Sequence, residues 1–260
     1  MEILHVMALP FLACLVLVGI HGYLGLHILA RGVIFVDLAL AQIAALGAVL
    51  ALVVGLDHEG PWAYWFSVAF TLAGAAMFAF TRTRRQRIPQ EAVIGITYAV
   101  AAAAGVIALD KAPHGAEELK EMLTGAILWV NAKTVLHSAA VYAVMGIVHW
   151  VFRDKFVAIS FEPERALAEG ISVRFWDFVF YATFGIIITI SVPVAGVLLV
   201  FPSLLVPAVA SALLVRGLRA RLATASAIGM VGSGIGCVAS YTSTCRPEPR
   251  WWWCSARCWR

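Results

Sequence analysis

Eight apolar runs, each long enough to cross a bilayer and separated by short polar breaks, constrain this chain more than any other feature. They cover approximately 3–29, 33–56, 62–80, 91–109, 127–152 (with a polar approach from 117), 174–191, 193–214 and 222–240 of the 260 residues. A helical span takes about 20 predominantly apolar residues. Soluble domains are about 45–50% apolar and about 25% charged, whereas this chain is 62% hydrophobic and 13% charged. Lipid must solvate most of its side chains. The expected fold is all-α, a polytopic transmembrane helical bundle with no soluble domain of its own.

The basic residues fall in clusters between the runs rather than on one face: Arg31; Arg82, Arg84, Arg85 and Arg87; Arg153 through Arg174; and Arg216, Arg219 and Arg221. Lys and Arg are retained on the cytoplasmic side during insertion. Placing all four clusters there puts the amino terminus outside and the acidic or mixed loops 57–59 and 110–118 outside as well. The scattered charge argues against a nucleic-acid partner. The first run has no basic region before it and no cleavage site, so it reads as a span and not as a removable signal. Of the five cysteines, Cys14 and Cys237 lie in spans, and Cys245, Cys254 and Cys258 crowd the end of the chain. No pair has zinc-site or CxxC spacing, and a disulfide framework is not expected.

An ionisable residue inside a span is a functional candidate because it is expensive there. Asp37, four residues into the second run, is the leading one. Gln42 follows five positions later on a different helical face, either as a pathway residue or as a hydrogen bond between helices. His21 and His27 are six residues apart, a spacing that does not put two ligands on one helix face; each reads as a histidine bonded to a neighbouring helix. His137 and His149 are too far apart for one site. No tightly bound cofactor and no closed metal site are expected. Pro193, Pro202 and Pro207 are expected to break the seventh run, and broken helices persist where they line a cavity or pack in protein. In the segment 153–174, FEPERALAEGIS reads as a short helix with Pro163 at its start and Gly170 at its stop, either a docking element or a connector.

No GxxxxGK[ST] phosphate loop, HExxH or GxSxG elbow occurs. GSGIG at 232–236 lies in an apolar run, where small residues serve helix packing.

RGVIFVDLALAQIAALGAVLA in the second run, EAVIGITYAVAAAAGVIAL, EELKEMLTGAILWVN, PERALAEGISVRFWDFVFY and VAGVLLVFPSLLVPAVASALL appear in order over residues 15–243. Together they resemble the permease subunits of the zinc, manganese and iron ABC importers, the ABC-3 type metal permeases. The resemblance implies an ABC importer permease fold in the bacterial cytoplasmic membrane that moves a divalent metal ion inward and performs no chemistry itself. It implies three partners: an ABC ATPase that uses the ATP, a metal-binding receptor outside, and a second permease copy or homologue. PERALAEG is similar to the family's coupling helix, so Glu164, Ala168 and Gly170 are expected to touch the ATPase. Asp37, Gln42, Pro202 and Pro207 are expected along the translocation path. The alternatives are a permease for metal chelates or cobalamin, and a non-transport membrane enzyme or scaffold.

The chain departs from the family in two places. Family members carry an Asp and a His one turn apart early in span two. Aligned on the following Leu-Gly pair, those places hold Leu38 and Gln42, with Asp37 one residue early. Asp37 is then the candidate for transient metal contact after a small helix rotation, with the span-one histidines as alternative contributors. The family also continues after its eighth span with a polar turn and a ninth. Here 1–243 reads as the permease domain and 244–260 as an aberrant tail. Its WWW, encoded by TGG codons, shifts by one base to GTG valine codons, so the tail reads as a frameshift product with the ninth span missing. An interfacial Trp/Arg anchor is the other reading.

Overall fold

Hydrocarbon offers no water to the backbone, so each long apolar run must satisfy its amides and carbonyls internally, as a helix does. A computed structural model of the chain describes residues 2–56, 60–82, 88–110, 120 and 122–242. The helices are α1 (Glu2–Arg31), α2 (Val36–Val53), α3 (Pro61–Thr81), α4 (Gln90–Leu109), α5 (Ala132–Val151), α6 (Arg153–Phe161), α7 (Pro163–Ala168), α8 (Val173–Ala195), α9 (Val197–Leu214) and α10 (Leu218–Thr242), with a 3₁₀ turn at Ile127–Trp129. Eight of those described are long and apolar enough to span a membrane, and α6 and α7 are not. The tail 244–260 and the basic residues Arg84, Arg85 and Arg87 lie outside the described residues.

Two expected boundaries move. The fifth span starts at Ala132, because the Asn131 side chain accepts from the Thr134 amide at 2.8 Å and caps the helix there. The seventh run is not broken by its prolines. Pro193 lies inside α8, and Pro202 and Pro207 inside a continuous α9. Serine hydroxyls help membrane helices absorb proline, and Ser203 beside Pro202 donates to the Val200 carbonyl at 2.7 Å. The interruption falls instead at Gly196, whose φ of +72° ends α8 and begins α9.

The bundle is organised around α1 and α8. Helix α1 packs against α5, α6, α9 and α10; α8 packs against α2, α3, α5, α6 and α9; and α2 joins α3 and α4. Leu24, Ile28, Leu40, Phe78, Phe156, Phe180, Phe184 and Ile188 form one continuous core across these helices. Small residues set the closest approaches, as expected where lipid leaves no hydrophobic drive between helices. A methyl on Gly25 of α1 would run into the Leu204 carbonyl of α9, and one on Gly47 of α2 would sit 2.8 Å from the Phe66 carbonyl of α3. In the GSGIG region of α10, Gly232 and Gly236 meet nothing, while Gly229 nearby packs on Val18.

Candidate functional site

Asp37 sits in the first turn of α2 and is 2% exposed. Its Oδ1 is buried with no hydrogen-bond partner among the described residues. Two residues before it, the Phe35 amide donates to Glu91 Oε1 at 3.0 Å, while Glu91 Oε2 is likewise buried and unpartnered. The entry of α2 therefore holds two carboxylates, from α2 and α4, each with an unused oxygen. Gln42 is half-buried. Just beyond it, Ala41, Ala44, Ala45, Ala48, Ser67 and Thr189 line a cavity of about 170 Å³ between α2, α3 and α8. Pro202 and Pro207 line a different crevice of about 480 Å³, between α9, α1 and α10. Asp37 and Gln42 border neither cavity.

The histidines are tied to neighbours. His21 Nδ1 lies 2.8 Å from the Leu17 carbonyl in its own helix. His149 Nε2 lies 2.9 Å from Thr183 Oγ1 of α8. Among the described residues no three of His, Cys, Asp and Glu converge as metal ligands.

Helix α7 and the turn that ends it carry the residues expected at the ATPase contact. Glu164, Ala168 and Gly170 are exposed. Ala166 alone of α7 is buried, packed with Ala158 and Ile159 of α6. Arg165 donates to Glu169 at 2.7 Å and to Glu162 at 3.1 Å, and these carboxylates raise its pKa above the ordinary guanidinium value. Surface pairs of this spacing stabilise a helix only weakly. Gly170 (φ +66°) closes the helix in the left-handed region that glycine tolerates.

At the end of α6, where Ser160 meets α1, lies a cluster whose members are scattered in the sequence. Asp177, in the first turns of α8, is fully buried. Its Oδ1 accepts from Arg31 Nη1 at 2.6 Å and from Arg82 Nη1 at 2.8 Å, and its Oδ2 accepts from Arg82 Nη1 at 2.7 Å. The Arg31 side chain is 1% exposed, lies over the Phe180 ring at 3.8 Å, and donates through Nε to Ser160 Oγ at 2.8 Å. His27 Nδ1 lies 2.8 Å from the same hydroxyl. His27 Nε2 is buried with no hydrogen-bond partner among the described residues. The rule that singles out Asp37 applies equally to Asp177, an acid near the start of the sixth run. Arg31 and Arg82 had been read only as markers of membrane side.

The profile of the ABC 3 transport family matches residues 4–250. The chain belongs to this family, as the resemblance of its ordered motifs predicted. The manganese transport system membrane protein MntC of Listeria innocua is 26% identical over 227 residues, covering 87% of this chain and 79% of the relative. The manganese import system permease protein ScaB of Streptococcus gordonii is 23% identical over 238 residues, covering 92% and 83%. Among solved structures, PsaBC from Streptococcus pneumoniae in complex with Fab superposes with a TM-score of 0.75 at 23% identity, over 92% of this chain and 83% of that one. An inward-facing conformation of a putative metal-chelate type ABC transporter gives 0.68 at 14% identity, over 93% and 79%. The expected all-α permease fold is thereby borne out.

Proposed function

We propose that this chain is the membrane-spanning permease subunit of an importer that carries a free divalent metal ion, manganese foremost, into a bacterial cytoplasm. The observation that carries the reading is α7, a short exposed helix between two spans at the basic end of the bundle, in a chain whose relatives are named as manganese permeases. In this reading two permease copies enclose a path with their amino termini outside, a receptor delivers the ion, and two separate ATPase subunits seat the α7 helices. Glu164, Ala168 and Gly170 form the contact face. Asp37 meets the ion transiently near the inner end of the path, where its unpartnered Oδ1 offers the hard oxygen ligand that manganese prefers. Gln42, Pro202 and Pro207 belong to the walls.

Two measurements test this. In cells carrying the permease with its partners, Asp37→Ala should cut manganese uptake severely, whereas Gln42→His should preserve or raise it by adding an imidazole. Unchanged uptake in Asp37→Ala removes Asp37 from the path. Separately, Ala168→Arg puts a bulky charge on the contact face. Surface changes of this kind move stability by less than about 0.5 kcal/mol, so the variant should melt like the wild type and yet lose most of the copurifying ATPase. Full retention of the ATPase would place the docking surface elsewhere.

A further inference from the structure

The Arg31 cluster contributes no contact face and no ion ligand to the proposed function, yet it is the most connected polar group described. Its position is specific. Helix α7 is fastened to α6 by Ala166 against Ala158 and Ile159, so the two short helices form one angled unit. That unit meets the bundle through Phe156, buried beside His149 and Phe180, and through Ser160, one residue from the end of α6. Phe156 makes apolar contacts that slide at little cost. The Ser160 hydroxyl makes directed ones, to Arg31 and His27 of α1. Arg31 in turn is bonded to Asp177 of α8, and Asp177 to Arg82 beyond the end of α3. One guanidinium thus ties the α6–α7 unit to the two central helices.

We propose that Arg31 is a positioning residue for transport: through Ser160 and Asp177 it passes displacement of the ATPase-docking helix to α1 and α8. This rests on the importer reading and extends it from where the partner docks to how its motion enters the bundle. A joint of this kind needs directed bonds on both sides. Arg31 supplies them, with Nε toward the short helices and Nη1 toward α8. The surplus of charge suits the role as well. Two arginines share one carboxylate, and Arg31 Nη2 has no hydrogen-bond partner among the described residues, so a strong pull on the network re-sorts its bonds instead of being absorbed by loose packing.

The test is made on the permease–ATPase complex reconstituted in proteoliposomes with its receptor, measuring manganese uptake and ATP hydrolysis in the same vesicles. Ser160→Ala cuts the joint on the side of the short helices and leaves the Arg31–Asp177–Arg82 pairs in place. It should bind the ATPase as the wild type does and still hydrolyse ATP, while manganese moved per ATP falls by about five-fold or more, the lower end of typical coupling between sites. Arg31→Lys, which cannot reach both partners at once, should do the same. Ser160→Thr, which keeps the hydroxyl, should restore the ratio. Ser138→Ala removes a buried hydroxyl on α5 that has no partner among the described residues, and should leave the ratio unchanged. A wild-type ratio in both Ser160→Ala and Arg31→Lys overturns the joint, as does loss of ATPase binding in Ser160→Ala, which would make the contact one of docking. A wild-type complex that hydrolyses ATP and moves no manganese removes the importer reading and the joint together.

Discussion

Asp177→Ala is expected to yield little folded permease, and whatever folds should melt far below the wild type in detergent. The substitution removes the acceptor of three hydrogen bonds at a fully buried position. Arg82, with 24% of its side chain exposed, can turn toward water, but Arg31 at 1% cannot. Removing one partner of a buried pair costs about 3–5 kcal/mol because the other charge stays buried and unpaired. Against a typical total of about 5–15 kcal/mol, that is about a fifth of the stability or more. A second variant separates this cause from lost packing: Arg31→Met combined with Asp177→Leu removes both charges, and replacing whole buried pairs by apolar groups is often neutral. The double variant should recover most of the melting temperature. A wild-type melting temperature in Asp177→Ala would refute the account.

Nearly as large an effect is expected where the loop before the 3₁₀ turn touches the α8–α9 break. Gly125 and Gly196 both have positive φ, +64° and +72°. A methyl on Gly196 would strike the Thr124 carbonyl carbon and come 2.5 Å from the Gly125 nitrogen; one on Gly125 would strike the Gly196 nitrogen and Ala195. These are backbone atoms, held further by the Ala126 amide donating to the Val194 carbonyl at 3.1 Å, so no side chain can give way. Gly196→Ala should therefore lose about 1–3 kcal/mol for a backbone at φ +72° and ψ +155°, a region essentially reserved for glycine, and about 1–3 kcal/mol for overpacking. Gly232→Ala in α10, where a methyl meets nothing within 4 Å, is the control. It should hold or gain stability, since alanine is the better helix former by about 1 kcal/mol. Equal melting temperatures for Gly196→Ala and the wild type would show that the two loops part readily.

The spans were legible because lipid leaves an apolar run of that length one stable conformation. The placement of the break was not. Proline is a loud signal in sequence, but within α9 the surrounding helix absorbs it, while Gly196 breaks the chain for a reason that lies in Gly125, far away in sequence. Helix α7 could be read locally, from Pro163 at its start and Gly170 at its stop. The Arg31 cluster could not. Its members at 27 and 31, 82, 160 and 177 come from four places along the chain, and two of them had a sufficient explanation as marks of membrane orientation. Asp177 alone carried a readable signal, the same one that drew attention to Asp37.

Helix α7 is held by one buried alanine while Glu164, Arg165, Leu167 and Ala168 face outward. Folding therefore asks almost nothing of its outer surface beyond the proline that opens it and the glycine that closes it. The bundle behind it is under the opposite regime, where single atoms at Asp177 or Gly196 decide whether it stands. In the proposed reading, the chain thus keeps the address by which an engine is recruited on a separate, nearly unconstrained page of its sequence. Descendants of such a permease could change engines by rewriting four side chains, with the passage through the membrane left as it was.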